Sequence, residues 1–183
     1  MTTSARAADL FRRVDAIEYG WCLRFNRSCS SRPQVRQLFV TISRLGDGTF
    51  WYVLVLALPL IHGDAAWMPV LRMAIVGFLG LALYKYLKSR LVRERPYIAL
   101  AGIVPGTRAL DRYSFPSGHT LHAVSFTVLI TASYPQLGLL CVPFAILVAM
   151  SRVVLGLHYP SDVAAGALLG AILAIASIFL MPI

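Results

Sequence analysis

Long apolar runs separated by short charged segments constrain this chain more than any other feature. Two of the runs, 67–87 and 161–180, are long enough to cross a hydrocarbon layer of ~30 Å as helices. Apolar residues make up 58% of the chain and charged residues only 14%, whereas soluble domains carry about a quarter charged residues. The sequence therefore predicts an all-α fold, a transmembrane helical bundle with five to six spans.

We expect five of these spans to be separated by short turns and by one long polar connection. Their predicted bounds are 49–61, 67–87, 118–134, 136–152 and 161–180. Tight turns suit successive spans in a bundle, whereas the connection 88–116 is too charged to lie in lipid. Because long loops in compact proteins are usually functional, this connection is expected to contribute to a site.

The first 48 residues form a different kind of segment. Apolar and charged residues alternate too often between 5 and 25 for a span, which predicts an amphipathic helix at the membrane surface. A polar break at 26–33 and a second amphipathic stretch at 35–45 follow, and the glycines of Gly46-Asp47-Gly48 permit a sharp redirection. We predict an interfacial segment, 1–48, and a transmembrane catalytic bundle, 49–183; a sixth span arises if the first helix crosses.

The positive charge is concentrated beside the apolar runs. Of the 17 Lys and Arg residues, eight arginines fall within 6–44 and seven basic residues fall within 85–112. These blocks are not interleaved with exposed aromatics, the pattern of a nucleic-acid-binding surface. The expected partners are membrane lipids and a lipid phosphate substrate, not nucleic acid.

Three polar clusters lie next to the predicted spans, where ionisable residues are costly and usually functional. They are Lys88 with Arg95-Pro96, then Pro116-Ser117-Gly118-His119, then Ser151-Arg152 with His158 and Asp162. The third span leaves the face that carries the first two clusters, and the fourth returns to it. All three clusters are therefore predicted to meet on one membrane face.

The residue types in these clusters suit a phosphoryl group. Lys88, Arg95 and Arg152 supply cations for its oxygens. Ser117 precedes an apolar helix and can cap it, so that the first N–H groups of the helix point at an anion. Gly118 allows the backbone to approach closely.

Two histidines complete this chemistry. Histidine attacks phosphorus through an unprotonated ring nitrogen, and a carboxylate bonded to the other nitrogen fixes that tautomer. His158 with Asp162 fits this arrangement, because Pro160 is expected in the first helical turn and Asp162 close behind it. His119 is the candidate that protonates the leaving group and then activates water.

The three motifs resemble the type-2 phosphatidic acid phosphatase superfamily, specifically its membrane lipid phosphatases. Its Lys-six-Arg-Pro, Pro-Ser-Gly-His and Ser-Arg-five-His-three-Asp patterns are intact between Lys88 and Asp162. The resemblance implies a phosphohistidine on His158, oriented by Asp162, with His119 as general acid and base. It places Lys88, Arg95, Ser117, Gly118 and Arg152 around the phosphate, with no metal and no cofactor.

Several functions stay open on the sequence alone. The candidate substrates are undecaprenyl pyrophosphate, phosphatidic acid and phosphatidylglycerol phosphate. A headgroup phosphotransferase would use the same site with a lipid or sugar hydroxyl in place of water. A vanadate-dependent haloperoxidase and a non-enzymatic transporter or scaffold are the other classes; taken singly, each basic residue could simply flank a span.

The remaining polar residues are assigned no catalytic role. We expect His122 to pack in the bundle, Asp111 to pair with Arg112 or order the loop, and Glu94 to steady Arg90 or Arg93. The positive-inside rule favours a cytoplasmic site, whereas the family resemblance implies a periplasmic one. The expected location is the bacterial inner membrane with a periplasmic site.

Overall fold

The computed structural model describes residues 3–109 and 111–181, with side chains described from residue 11 onward. Regular structure in this part of the chain is helical, apart from an isolated β-bridge between Glu94 and Tyr113. The all-α prediction is thus confirmed. The α-helices are α1 (Thr3–Ser30), α2 (Pro33–Arg44), α3 (Phe50–His62), α4 (Trp67–Arg90), α5 (Pro96–Ala99), α6 (Gly118–Ser133), α7 (Pro135–Val154) and α8 (Pro160–Leu180).

Three segments of the described chain are long and apolar enough to cross a membrane. They are Pro33–Arg90, which contains α2 to α4, then α7 and α8. The helix bounds follow the five predicted spans to within a few residues. The shorter α6 packs against α4, α7 and α8 at the centre of the bundle. The number of crossings, five or six, stays a prediction.

The predicted polar break at 26–33 is shorter than expected and covers only residues 31 and 32. Helix α1 continues to Ser30, and α2 begins with Pro33 at a position where the missing N–H of proline costs nothing. Asn26 stays helical because its side chain donates to the carbonyls of Val104 and Val154, at 2.9 and 3.1 Å, and accepts from Val104 N. A polar residue thus joins α1 to the bundle.

The predicted redirection at the glycine pair is present as a kink. Residues Leu45–Thr49 form a single π-type turn, in which Gly48 adopts φ 127°, a conformation that favours glycine. Gly46 is buried against α7, where a Cβ would lie 2.6 Å from the Val148 side chain. Asp47 lies in this kink, at the end of the bundle where α3 begins.

Helices α6 and α8 approach each other through glycines. A Cβ on Gly166 would lie 2.5 Å from the Ser117 carbonyl oxygen, and a Cβ on Gly170 would overlap the Leu121 carbonyl oxygen. Small residues four apart let two membrane helices meet backbone to backbone. The beginnings of α6 and α8, which carry the second and third polar clusters, therefore lie side by side.

A methyl group added at this contact should destabilise the bundle. We expect Gly170→Ala to lower the free energy of unfolding by about 1–3 kcal/mol, because the backbone of α6 has to move. Thermal unfolding of the detergent-solubilised protein measures the change. Gly20→Ala in α1 is the control, since its Cβ meets nothing within 4 Å. Equal stability of both variants would contradict the role given to the α6–α8 contact.

Candidate active site

The start of α6 is built as the sequence predicts. Ser117 has extended backbone angles and its Oγ accepts a hydrogen bond from Thr120 N at 3.4 Å, so it caps the helix. Ser117 N donates to the Asp162 carbonyl oxygen at 3.1 Å, which joins α6 to the first turn of α8. Gly118 is buried, and a Cβ at this position would lie 3.4 Å from the Tyr84 ring.

His158 lies in the tight connection between α7 and α8. Its N–H and that of Leu157 both donate to the Arg152 carbonyl at 3.0 Å, and Gly156 turns the chain with φ 71°. The imidazole is only 1% exposed. Burial, together with the charges of Arg95 and Arg152, lowers the pKa of His158 well below its ordinary value. The ring is therefore neutral at physiological pH, as a nucleophile requires.

The contact between Arg95 and His158 fixes the tautomer. Arg95 Nη1 lies 3.1 Å from His158 Nε2. A guanidinium only donates hydrogen bonds, so Nε2 accepts and carries no proton. The proton is then assigned to Nδ1, on the side of Asp162. Nε2 is thus the ring atom that carries the lone pair, and in this structure that lone pair accepts from Arg95.

The predicted hydrogen bond between His158 and Asp162 is not formed. Their Nδ1 and Oδ2 atoms are 3.6 Å apart, beyond hydrogen-bonding distance, and Nδ1 has no partner among the described residues. Asp162 instead accepts from Tyr159 N at 2.9 Å and from Arg93 Nη1 at 2.5 Å. The carboxylate still faces the ring, but other groups hold it.

Two of the three predicted phosphate-binding cations share a carboxylate. Asp111 accepts from Lys88 Nζ at 2.8 Å and from Arg95 Nη2 at 3.0 Å. Partial burial raises the pKa of Asp111, but the hydrogen bonds and charges of Lys88 and Arg95 outweigh burial and lower it overall. The predicted pairing of Asp111 with Arg112 is wrong: Arg112 pairs with Glu94, at the protein surface.

Arg152 supplies the third cation from the end of α7. It is 4% exposed and donates to the Ser43 hydroxyl at the end of α2, while its Nε has no partner among the described residues. A buried guanidinium with an unsatisfied N–H is ready to donate to an additional oxygen. The serine in this contact belongs to the predicted interfacial segment.

His119 is paired with a carboxylate that lies outside the three predicted motifs. Its Nε2 lies 3.0 Å from Asp47 Oδ1 in the kink between α2 and α3. The pairing orients the imidazole, as a group that transfers protons at the site requires. His122, by contrast, contacts the carbonyls of Gly118 and Gly77 at 2.9 and 3.1 Å, as expected of a packed histidine.

A cavity of about 660 Å³ connects these groups. Six of the eight predicted residues line it; Ser117 and Asp162 lie behind its wall. The six are Lys88, Arg95, Gly118, His119, Arg152 and His158. At one end the wall carries the exposed side chains of Arg44 and Arg108. At the other end an apolar arm runs between α3 and α4, lined by Trp51, Val55, Met73, Phe78 and Leu81.

The competition for Lys88 and Arg95 yields a prediction. A bound phosphate would have to displace Asp111 from these cations, so Asp111→Asn should lower the inhibition constant of inorganic phosphate about two- to fivefold. Inhibition of the purified enzyme by phosphate measures this constant. The matched control is Glu94→Gln, which neutralises a surface carboxylate of the same loop. A weaker affinity in Asp111→Asn would contradict this arrangement.

Comparison with known proteins gives a family and several relatives. The model of the PAP2 superfamily matches residues 65–182. The decaprenylphosphoryl-5-phosphoribose phosphatase of Mycolicibacterium smegmatis is 32% identical over 139 residues, which is 75% of this chain and 74% of that protein. The lipid A 1-phosphatase of Rhizobium etli is 28% identical over 187 aligned positions, covering 89% of this chain and 79% of that protein.

A solved structure supports the fold. The crystal structure of Aquifex aeolicus LpxE superimposes with a TM-score of 0.75 at 24% identity. The match covers 89% of this chain and 95% of that one. It extends beyond the residues that the family model matches, so the N-terminal helices also have counterparts in a known helical architecture.

Proposed function

Because this chain belongs to the PAP2 superfamily, we propose that it is an integral membrane phosphatase that hydrolyses a lipid phosphate or diphosphate through a phosphohistidine. The contact between Arg95 Nη1 and His158 Nε2 supports this proposal most directly. The contact shows that the lone pair of the neutral imidazole lies on Nε2. The imidazole lines the same cavity as Lys88, Arg95 and Arg152. This arrangement favours a phosphorus atom whose oxygens are bound by those cations.

The reaction takes place in two displacements. His158 Nε2 attacks phosphorus, the bond from phosphorus to the lipid oxygen breaks, and His119 donates its proton to that oxygen. His119 then takes a proton from water, whose oxygen attacks the same phosphorus. The P–N bond breaks, inorganic phosphate is released and His158 is regenerated. Lys88, Arg95 and Arg152 bind the phosphoryl oxygens throughout, with N–H groups at the start of α6.

The substrate class follows from the two ends of the cavity. The apolar arm between α3 and α4 suits a hydrocarbon chain, and the exposed arginines Arg44 and Arg108 suit an anionic headgroup. The M. smegmatis relative acts, by its name, on a polyprenyl lipid that carries two phosphates. By this likeness to a polyprenyl phosphatase, a polyprenyl substrate such as undecaprenyl pyrophosphate ranks above phosphatidic acid and phosphatidylglycerol phosphate.

A phosphate-release panel tests the activity. The purified protein should release phosphate from polyprenyl diphosphate, phosphatidic acid or phosphatidylglycerol phosphate, and His158→Ala should abolish release because no phosphoenzyme forms. His119→Ala should slow it by about 10²–10⁴-fold through loss of the general acid. Full activity of His158→Ala would contradict the mechanism. Arg108→Gln should raise KM for the diphosphate more than for phosphatidic acid.

The same assay separates hydrolysis from phosphotransfer. A headgroup phosphotransferase would place the phosphate on an added lipid or sugar hydroxyl instead of releasing it. Labelling of an acceptor in place of phosphate release would favour the phosphotransferase. Among the described residues, we find none that selects a hydroxyl acceptor over water.

We place the enzyme in a bacterial inner membrane with the site facing the periplasm. Several of the basic residues on the site face bind other groups or line the cavity, so they are poor markers of a cytoplasmic face. In intact cells, Ala101→Cys on the exposed loop beside the site should react with an impermeant thiol reagent. Asp64→Cys, exposed between α3 and α4 at the opposite end of the bundle, should not. The three native cysteines are buried; the reverse labelling pattern would place the site in the cytoplasm.

A further inference from the structure

Arg93 is buried behind the candidate nucleophile and belongs to none of the predicted motifs. Its side chain is 1% exposed, although it follows α4 in the charged connection. The guanidinium carbon lies 3.9 Å from the ring centre of Tyr159, the residue after His158, and 5.0 Å from that of Phe11. Burial of an arginine at this depth requires partners for its charge.

Those partners come from both ends of the chain. Arg93 donates to Asp15 at 2.6 Å, to Glu18 at 2.9 Å and to Asp162 at 2.5 Å. It also donates to the Ser161 hydroxyl at 2.7 Å. Two of these carboxylates belong to α1, outside the residues 65–182 that the family model matches.

Glu18 binds the start of α8 a second time. Its Oε1 accepts from Ser161 N and its Oε2 from Ser161 Oγ, both at 2.7 Å. A carboxylate at a helix N-terminus satisfies a free N–H and interacts favourably with the helix dipole. The first turn of α8, which carries Asp162, is therefore held from α1 by Glu18 and from the connection by Arg93.

The cluster determines how Asp162 is oriented. One carboxylate oxygen, Oδ1, is bound by Arg93, and the other, Oδ2, accepts from Tyr159 N and faces His158 Nδ1 at 3.6 Å. Without Arg93 the buried carboxylate would lose its charge partner, and rotation or protonation would follow. Either change removes the negative oxygen from the side of the imidazole on which the proton is assigned.

We propose that Arg93, anchored by Glu18 of α1, is a positioning residue that fixes the Asp162 carboxylate toward His158. The inference rests on the proposed function, since His158 is taken as the nucleophile. Arg93 touches no substrate: it lies outside the cavity wall and acts through Asp162. The Asp162 carboxylate, held in this orientation, stabilises the positive charge that develops on the imidazole as the P–N bond forms. The N-terminal helix thereby contributes to catalysis without reaching the cavity.

The test compares two arginines that are both paired with carboxylates. Arg93→Gln, Arg93→Lys and Glu18→Gln are assayed as full-length purified protein, with Arg112→Gln at the surface ion pair as the matched control. We expect Arg93→Gln to lower kcat about 10- to 100-fold, the scale of a displaced catalytic group. Arg93→Lys should recover part of this loss. The inhibition constant of inorganic phosphate should stay unchanged, because Lys88, Arg95 and Arg152 are intact.

The outcomes separate this inference from the proposed function. Wild-type protein that releases no phosphate from any lipid of the panel rejects the proposed function, whatever the variants do. With an active wild type, a kcat of Arg93→Gln equal to that of Arg112→Gln overturns the inference. Parallel loss of kcat and phosphate binding also overturns it, because that pattern reports a collapsed site. If Arg93→Gln does not fold, Glu18→Gln decides: reduced kcat with unchanged phosphate inhibition supports the inference, and unchanged kcat overturns it.

Discussion

The site depends on the close backbone contact between α6 and α8. Gly166 and Gly170 have no side chains to separate the helices, so Ser117 N reaches the Asp162 carbonyl directly. That contact brings the cap of α6, with His119, beside the segment that carries His158. Helix pairs of this kind are stabilised by van der Waals contact, which works as well in lipid as in water. The geometry of the candidate site thus follows from packing deep in the bundle.

Electrostatic balance is the second requirement, because the bundle surrounds several cations with apolar residues. Each has a partner from a distant part of the chain: Asp111 serves Lys88 and Arg95, Ser43 serves Arg152, and a three-carboxylate cluster serves Arg93. In the Arg93 cluster the carboxylates outnumber the cation, and burial raises the pKa of Asp15 despite the hydrogen bond from Arg93. Positive charge therefore faces the cavity, and negative charge lies behind His158.

Much of this architecture is predictable from local sequence. Hydropathy located α3, α4, α6, α7 and α8 because a helix in lipid has to be apolar along its length. The predicted family, the all-helical membrane fold and the lipid-phosphatase class are confirmed by the family match, the curated relatives and the described helices. The catalytic roles of His158, His119 and Asp162 stay predictions. Motif spacing and the direction of each span are enough to predict that the eight proposed site residues lie on one face of the bundle.

Through-space pairing was not predictable in the same way. Asp47 and Arg93 reach the site from a kink and from a charged loop, where sequence neighbours do not determine partners. Proximity in sequence predicts that Asp111 pairs with Arg112 or orders the loop, whereas folding places it between Lys88 and Arg95. The polar residues from Asn26 onward predict a break, because the carbonyls that accept from Asn26 lie 78 and 128 residues away in sequence.

The two ends of the cavity have a consequence for how the products separate. The arm between α3 and α4 is lined in part by Phe78, a side chain 71% exposed on the apolar flank of the bundle, while the opposite end carries charged side chains. A dephosphorylated lipid can leave sideways into the bilayer, and inorganic phosphate can leave into water. Once they are in different phases, the two products meet again only at the enzyme. Partitioning between oil and water would thus oppose the reverse reaction, and substrate would arrive by diffusion in two dimensions.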